Sequence, residues 1–474
     1  MKKSRREFLK SSCRALSMAA LASQMRHFGL VNALAQERLK SESANSPDAE
    51  YKALVCVFLN GGNDSNNTVI PNYDEGYNQY AAARQAQGLA IARASLLPIT
   101  PPAMSGQIYG LHPAVGELKT LFDTGKMAVV CNVGTLVQPL TRQQYQSGGA
   151  RPRQLFSHTD QADQFRTAIS SYNSSTGWGG RTADRAAGLN AGALIPMVTS
   201  ISGSTVFSTG NASSPLIITP APIPLNQVLT LNGFGTAADE LARRAAMDKL
   251  RQEDLSQTLV QATSVLTQQA INVSQQLSQD PTLTVTFPNT ALGNQLRQVA
   301  KLMKFRTQLN MSRQIFYVQL NNFDTHGGQL TMHPNLLAQL SQALKAFYDE
   351  TQAQGIANQV TTFTMSDFSR TLNPSGAGSS VGTDHAWGGH HFVIGGAVNG
   401  GNFYGSPTSN GTIFPTLVSN GPDDAENRGR IIPSVAIEQY AGTLARWFGL
   451  SDADIPLVFP NIANFSTSNL GFMV

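Results

Sequence analysis

Hydrophobic positions along this chain gather into short unbroken runs, set apart by polar stretches rich in Gly, Asn and Ser. Residues 53–59 (ALVCVFL), 127–133, 316–320 and 360–365 are each apolar, β-branched or aromatic almost throughout and of strand length. Unbroken runs of this kind are expected of strands covered on both faces, as in a parallel sheet between helices. Between them lie stretches with apolar residues at helical spacing: 112–126, 294–311, 333–348 and 435–448, the last preceded by Pro433 and closed by Gly449. Run, helix and run over 316–320, 333–348 and 360–365 predict a β-α-β crossover, and so a parallel pair. The expected fold class is α/β, a mostly parallel central sheet flanked by helices.

The pattern changes in the middle of the chain. Residues 190–236 are rich in Pro, Gly, Ser and Thr with short β-branched runs, which predicts a small β-hairpin cap. Residues 237–279 are Gln- and Ala-rich without proline and predict long outer helices. The two together read as one insertion, about 190–290, within a single domain over 51–474.

The first residues carry a different signal. Arg5 and Arg6 precede Phe8, Leu9 and Lys10, an Ala-rich apolar segment follows, and Ala33-Leu34-Ala35 offers a cleavage site. That segment is too short to span a bilayer, so residues 1–35 predict a removable twin-arginine export signal and residues 36–50 a polar lead-in. The reading implies the twin-arginine export machinery as a transient partner, a periplasmic or extracellular destination, and no membrane span after cleavage. It also changes the charge. Residues 1–35 hold seven Lys or Arg and one Glu, net +6, so the +4 of the whole chain becomes −2 for the remainder. Nothing in that balance points to nucleic acid or an anionic membrane. Cys56 and Cys131 lie inside apolar runs and predict buried thiols rather than a disulfide.

Candidate chemistry concentrates where strand-like runs end. Asp64 follows the first run, Asp324 and His326 follow 316–320, and Asp367 follows 360–365. Asp384, His385, His390 and His391 come shortly afterwards, so five of the eight histidines fall between 326 and 391. In open α/β sheets the loops after parallel strands converge on one edge, and carboxylate with imidazole there suits a divalent metal. His390 and His391 enter a strand-like HFVIGG, so only one of them is expected to face the site. Ser157 precedes a helix beginning near Thr159, where it reads equally as a nucleophile or as a plain N-cap; its neighbour His158 joins it as a catalytic candidate. Arg181 and Arg370 are candidates to hold an oxyanion, because a guanidinium matches phosphate or sulfate in two-pronged fashion.

In order, GGND, LFSHTDQ, GWGGR, FDTHGGQ, SDFSRT, GTDHAWGGHH, GGAVNGG and QYAGTLARWFG make the chain similar to the domain of unknown function 1501 family, over almost all of the part after the export signal. That family in turn resembles the alkaline phosphatase and sulfatase superfamily, which implies one or two divalent ions, zinc or manganese, at the strand ends. Carried over, the resemblance assigns Asp64, Asp324, His326, Asp367 and His385 as ligands, with Asp384-His385 and His390 or His391 as the alternative set. The chain departs from the superfamily pattern in two places: the Asp324–His326 spacing is two rather than four, and Phe368 stands where histidine follows the acid. The implied function is an exported metal-dependent hydrolase acting on a small-molecule or polysaccharide ester of phosphate or sulfate. The alternative is a catalytically silent binding or assembly protein on the same fold.

Overall fold

The structure, a computed structural model, describes residues 50–228, 237–251 and 279–474, with a few positions between 264 and 277. Residues 1–49, where the export signal and lead-in are expected, and most of 252–278, where outer helices are expected, lie outside the described residues.

The unbroken apolar runs all become strands of one sheet: β1 (Lys52–Leu59), then β5 (Met127–Gly134), β8 (Arg313–Leu320), β9 (Val360–Ser366) and β10 (Gly389–Gly395). Three short antiparallel strands, β2 (Val69–Pro71), β3 (Leu97–Ile99) and β4 (Tyr109–Leu111), form a separate small sheet. β6 (Val198–Ser200), β7 (Leu216–Ile217), β11 (Phe403–Tyr404) and β12 (Val435–Ala436) complete the large one, whose order is β11-β5-β10-β9-β1-β8-β6-β7 with β12 beside β5. Within the large sheet every pairing is parallel except those of β10, which runs against both β5 and β9. The expected crossover is present, but β8 and β9 each pair with β1, which lies between them.

Both faces of the sheet are covered, which is why its strands read as continuous apolar runs. Odd-numbered β1 residues, Ala53, Val55 and Val57, share a core with the helices Gly116–Asp123 (α2), Ala291–Lys304 (α5) and Gln329–Ala353 (α6). Even-numbered Leu54, Cys56 and Phe58 pack with the helices His158–Thr167 (α3), Trp178–Ala186 (α4) and Ile437–Phe448 (α7); α1 is Asp74–Arg84. Cys56 and Cys131 are both buried free thiols, and they belong to cores on opposite faces.

Two local expectations are corrected. β6 and β7 pair in parallel with each other and β6 with β8, so this stretch extends the edge of the main sheet instead of forming a hairpin. Helix α6 begins at Gln329, ahead of the expected start at His333, with Pro334 inside it. Gly328, at φ +63°, sets that earlier start by taking the left-handed conformation at the N-cap.

Candidate metal centre

The loops after β1, β8 and β9 meet because two glycines let their backbones touch. Gly61 has φ +114°, and a Cβ on it would lie 2.4 Å from the Asp324 nitrogen. Its N–H instead donates to Asp367 Oδ1 at 3.1 Å, while the Phe323 N–H donates to the Asn60 carbonyl at 3.1 Å. A Cβ at Gly382 would lie 2.2 Å from the His326 carbonyl carbon, so the segment carrying Asp384 and His385 also presses against the β8 loop. That segment runs antiparallel to 369–371, through Ser369 N–H to Trp387 O and Thr371 N–H to Asp384 O.

Three imidazoles turn towards one carboxylate at this junction, and each has its Nδ1 tied to an oxygen. His158 Nδ1 lies 2.7 Å from Asp367 Oδ2, His326 Nδ1 lies 3.0 Å from Asp384 Oδ1, and His385 Nδ1 lies 2.8 Å from the Phe156 carbonyl. A carbonyl or an ionised carboxylate only accepts, so each Nδ1 carries the proton and each Nε2 is left with its lone pair. The three Nε2 atoms surround Asp324: His326 at 3.0 Å and His385 at 3.4 Å from Oδ1, and His158 at 3.4 Å from Oδ2. Ligand atoms of His158, Asp324 and His385 all lie within 4.8 Å of one another, and His326 Nε2 is 2.8 Å from His385 Nε2.

This donor set fits a divalent cation. Two lone pairs 2.8 Å apart repel unless a proton or a cation lies between them, and the buried His158 Nε2 makes no hydrogen bond among the described residues. Three imidazole nitrogens with one carboxylate suit zinc better than an all-oxygen ion such as magnesium. Around the cluster the charges are balanced. Burial alone would raise Asp324, but the hydrogen bond and charge of Arg370, 2.6 Å away, hold it below the ordinary carboxylate value, with His326 and His158 adding to the effect. The hydrogen bond to Asp367 raises His158 above its ordinary value against its burial, whereas burial lowers His385.

Strain supports the assembly. Phe156 holds φ +69° and Gln154 φ +45°, conformations that non-glycine residues adopt at a cost of about 1–3 kcal/mol each. The Phe156 conformation aims its carbonyl at His385, and Arg430 holds both residues: its guanidinium lies 3.9 Å from the Phe156 ring centroid and donates to the His385 carbonyl.

Several sequence candidates take other roles. Asp64 is not part of the cluster; it is fully buried in an ion pair with Arg84 and also accepts from Gln329 and from the Asn66 N–H, so its oxygens are occupied. It is linked to the site through its partners: Gln329 accepts from Thr383 Oγ1, which in turn faces Arg370 Nε at 3.3 Å, and the Asn66 side chain donates to the Arg370 carbonyl. Asp367 and Asp384 orient His158 and His326, with Asp384 further held by Ser375 and Arg428. Neither His390 nor His391 faces the cluster: the first accepts from the Asn132 N–H and stacks on Phe414, and the second packs against Phe165 and Tyr440 on the other face of β10. Burial holds both rings neutral, at about 3.

Ser157 is the N-cap of α3, and its hydroxyl donates to Asp160 at 2.7 Å. Arg181 is a buried staple donating to the carbonyls of Thr167, Thr176 and Val458. Arg370 belongs to the site but is spent on Asp324, the Gly61 carbonyl and Thr383.

Beside the cluster opens a cavity of about 610 Å³, lined by His158, Asp324 and Asp367 and by Thr159, Ala162, Asp163 and Arg166 of α3. Arg166 was not singled out from the sequence, yet His158, Ala162 and Arg166 recur every four residues and so share one helix face. Its Nε is buried without a hydrogen-bond partner among the described residues, and its guanidinium lies over the Phe58 ring at 4.2 Å. The remaining wall is made by Asn60, Gly61, Asn321 and Asn322.

Solved structures similar to the chain include the PsFucS1 sulfatase from Pseudoalteromonas sp., 8% identical, with 89% of this chain and 72% of that one covered and a TM-score of 0.31. The lipoteichoic acid synthase LtaP from Listeria monocytogenes is 9% identical over 72% of this chain and 61% of its own, with a TM-score of 0.24. Alkaline phosphatase from the Antarctic bacterium TAB5 is 10% identical over 73% and 92%, also with a TM-score of 0.24. No curated protein matches the chain. The family described as "Protein of unknown function (DUF1501)" matches residues 51–413, from the start of β1 past β11, and the chain belongs to that family.

Proposed function

We propose that this protein is an exported, metal-dependent hydrolase of phosphate or sulfate esters. The observation that carries the reading is the set of three imidazoles, each anchored at Nδ1 and each turned by its Nε2 towards Asp324, beside a cavity whose wall includes His158, Asp324 and Arg166. His158, His326, His385 and Asp324 would hold the ion. What a divalent cation supplies at that place is positive charge against the charge that develops on the ester oxygens.

The chain's own groups do the rest. Asp367 and Asp384 keep two imidazoles in the tautomer that presents Nε2, and the Phe156 carbonyl does so for the third. Arg370 holds Asp324 ionised and in place. Arg166, on the same helix face as His158, is the guanidinium with access to the cavity and takes two oxygens of the tetrahedral group. Of the hydroxyls at the start of α3, Thr159 lines the cavity whereas Ser157 is engaged with Asp160, so attack by Ser157 is not part of the proposal. Export rests on Arg5-Arg6 and the short apolar segment after them.

Elemental analysis of the purified protein, together with turnover of an activated aryl phosphate and aryl sulfate, tests the reading. Bound metal and turnover that both disappear in His385→Ala are expected. Metal-free protein with no turnover after incubation with zinc or manganese overturns it.

A further inference from the structure

The cavity beside the cluster is larger than a phosphate or sulfate group needs, and its wall says what else it takes. Sites for apolar or aromatic ligands are lined predominantly by hydrophobic and aromatic side chains. Here, among the described residues that line it, Ala162 is the one hydrophobic side chain, and the one ring is the His158 imidazole, which is turned to Asp324. A nucleobase or an aryl group would find no Phe, Tyr or Trp side chain to stack on, since the His158 ring is tied to Asp367 and the Arg166 guanidinium already lies over Phe58.

The side opposite α3 is instead built of amides. Asn60 stands at the end of β1, and Asn321 and Asn322 follow β8. Neither Asn60 nor Asn322 has a side-chain hydrogen-bond partner among the described residues, although both main chains are fixed, Asn60 by Leu320 and Phe323 and Asn322 by its left-handed φ of +79°. Asn321 Oδ1 accepts from Gln319, which leaves its NH₂ group for the cavity. A side-chain amide carries both donor and acceptor, and the matching partner is a hydroxyl, which is also both.

We infer that the leaving group of the ester is polyhydroxylated, a sugar or sugar-like polyol, with the charged ester group against Arg166 and the metal ligands and the hydroxyls against Asn60, Asn321 and Asn322. This rests on the ester-hydrolase reading and deepens it. Asp163, beside Arg166 on the same wall, sets a limit: it accepts from a hydroxyl but repels a second anionic group, so the preferred sugar carries one charged ester rather than several.

The test compares glucose 6-phosphate and glucose 6-sulfate with p-nitrophenyl phosphate and p-nitrophenyl sulfate on the metal-loaded protein. A lower KM for the sugar esters is expected, and Asn322→Gly should reduce the ratio of sugar-ester to aryl-ester kcat/KM about tenfold. Glycine accepts the φ of that position, so the loop is kept while the amide is removed; Asn60→Ser, read in the same way, is the second variant. Aryl esters hydrolysed with a KM no higher than that of the sugar esters, and a ratio unmoved in both variants, overturn the inference and leave the hydrolase standing. Turnover of neither class defeats both.

Discussion

Asp367 Oδ2 lies 2.7 Å from His158 Nδ1, and its other oxygen accepts the Gly61 N–H, so both oxygens of this acid are engaged and it orients a ligand. The same arrangement recurs with Asp384 and His326. Two acids that the sequence offers as ligands thus decide which ring nitrogen is available.

Asp367→Asn is therefore expected to weaken metal binding while sparing the fold. The amide cannot accept from both Gly61 and His158; turned to satisfy one, it sets a donor against the other. A loss of about tenfold to a hundredfold in zinc affinity is expected, read by chelator competition. An affinity equal to the parent's would show that His158 is not a ligand.

Metal should also hold the fold together. An ion that binds only the native state stabilises it by mass action, about 2.7 kcal/mol at a concentration one hundred times Kd. A chelator should lower the melting temperature, and zinc should restore it; His158→Ala should melt at one temperature in both conditions.

Asp64 and Arg84 test a different claim. Both side chains are fully buried, and removing one member of such a pair leaves the other uncompensated. Arg84→Met should cost about 3–5 kcal/mol by denaturant unfolding, and Asp64→Asn should leave the metal content of the folded protein near that of the parent. A metal-free, stably folded Asp64→Asn would return Asp64 to the ligand set.

Glu438, buried on α7, gives a pH signature away from the site. Burial pushes its carboxyl up to about 8, beyond what the Asn461 amide and Arg181 offset. Between its ordinary value and 8 the native state keeps a proton that the unfolded chain has lost, so stability falls as pH rises through that window and levels off above it. Glu438→Gln keeps the shape and removes the proton. Unfolding by urea should show a weaker fall in stability between pH 5 and 8 in the variant, by a few kcal/mol; parallel profiles would place the native carboxyl near its ordinary value.

The hydrophobic pattern alone determined the sheet and most of its helices. A strand covered on both faces is apolar or β-branched at most positions, and the four unbroken runs became β1, β5, β8 and β9, with the strand-like HFVIGG in β10, at nearly the expected ends. It also put Asp324, His326 and Asp367 at one edge, because strand ends in a parallel sheet share it; His385 reaches the same edge because it precedes β10, which runs antiparallel to its neighbours. Two things were decided only in three dimensions. Which acid faces an ion and which faces an imidazole depends on contacts over long separations: Asp367 with Gly61, 306 positions apart, and His385 with the Phe156 carbonyl, 229 apart. A run of residues does not encode those distances. Asp64 shows the same point in reverse: it follows a strand as the others do, but the turn through Gly61 and Gly62 carries it to Arg84, and a buried carboxylate goes to the nearest full charge. Arg166 was readable in principle, eight residues after His158 on one helix face. What marks it out is a cavity, and a cavity exists only once α3 and the loops after β1 and β8 stand side by side.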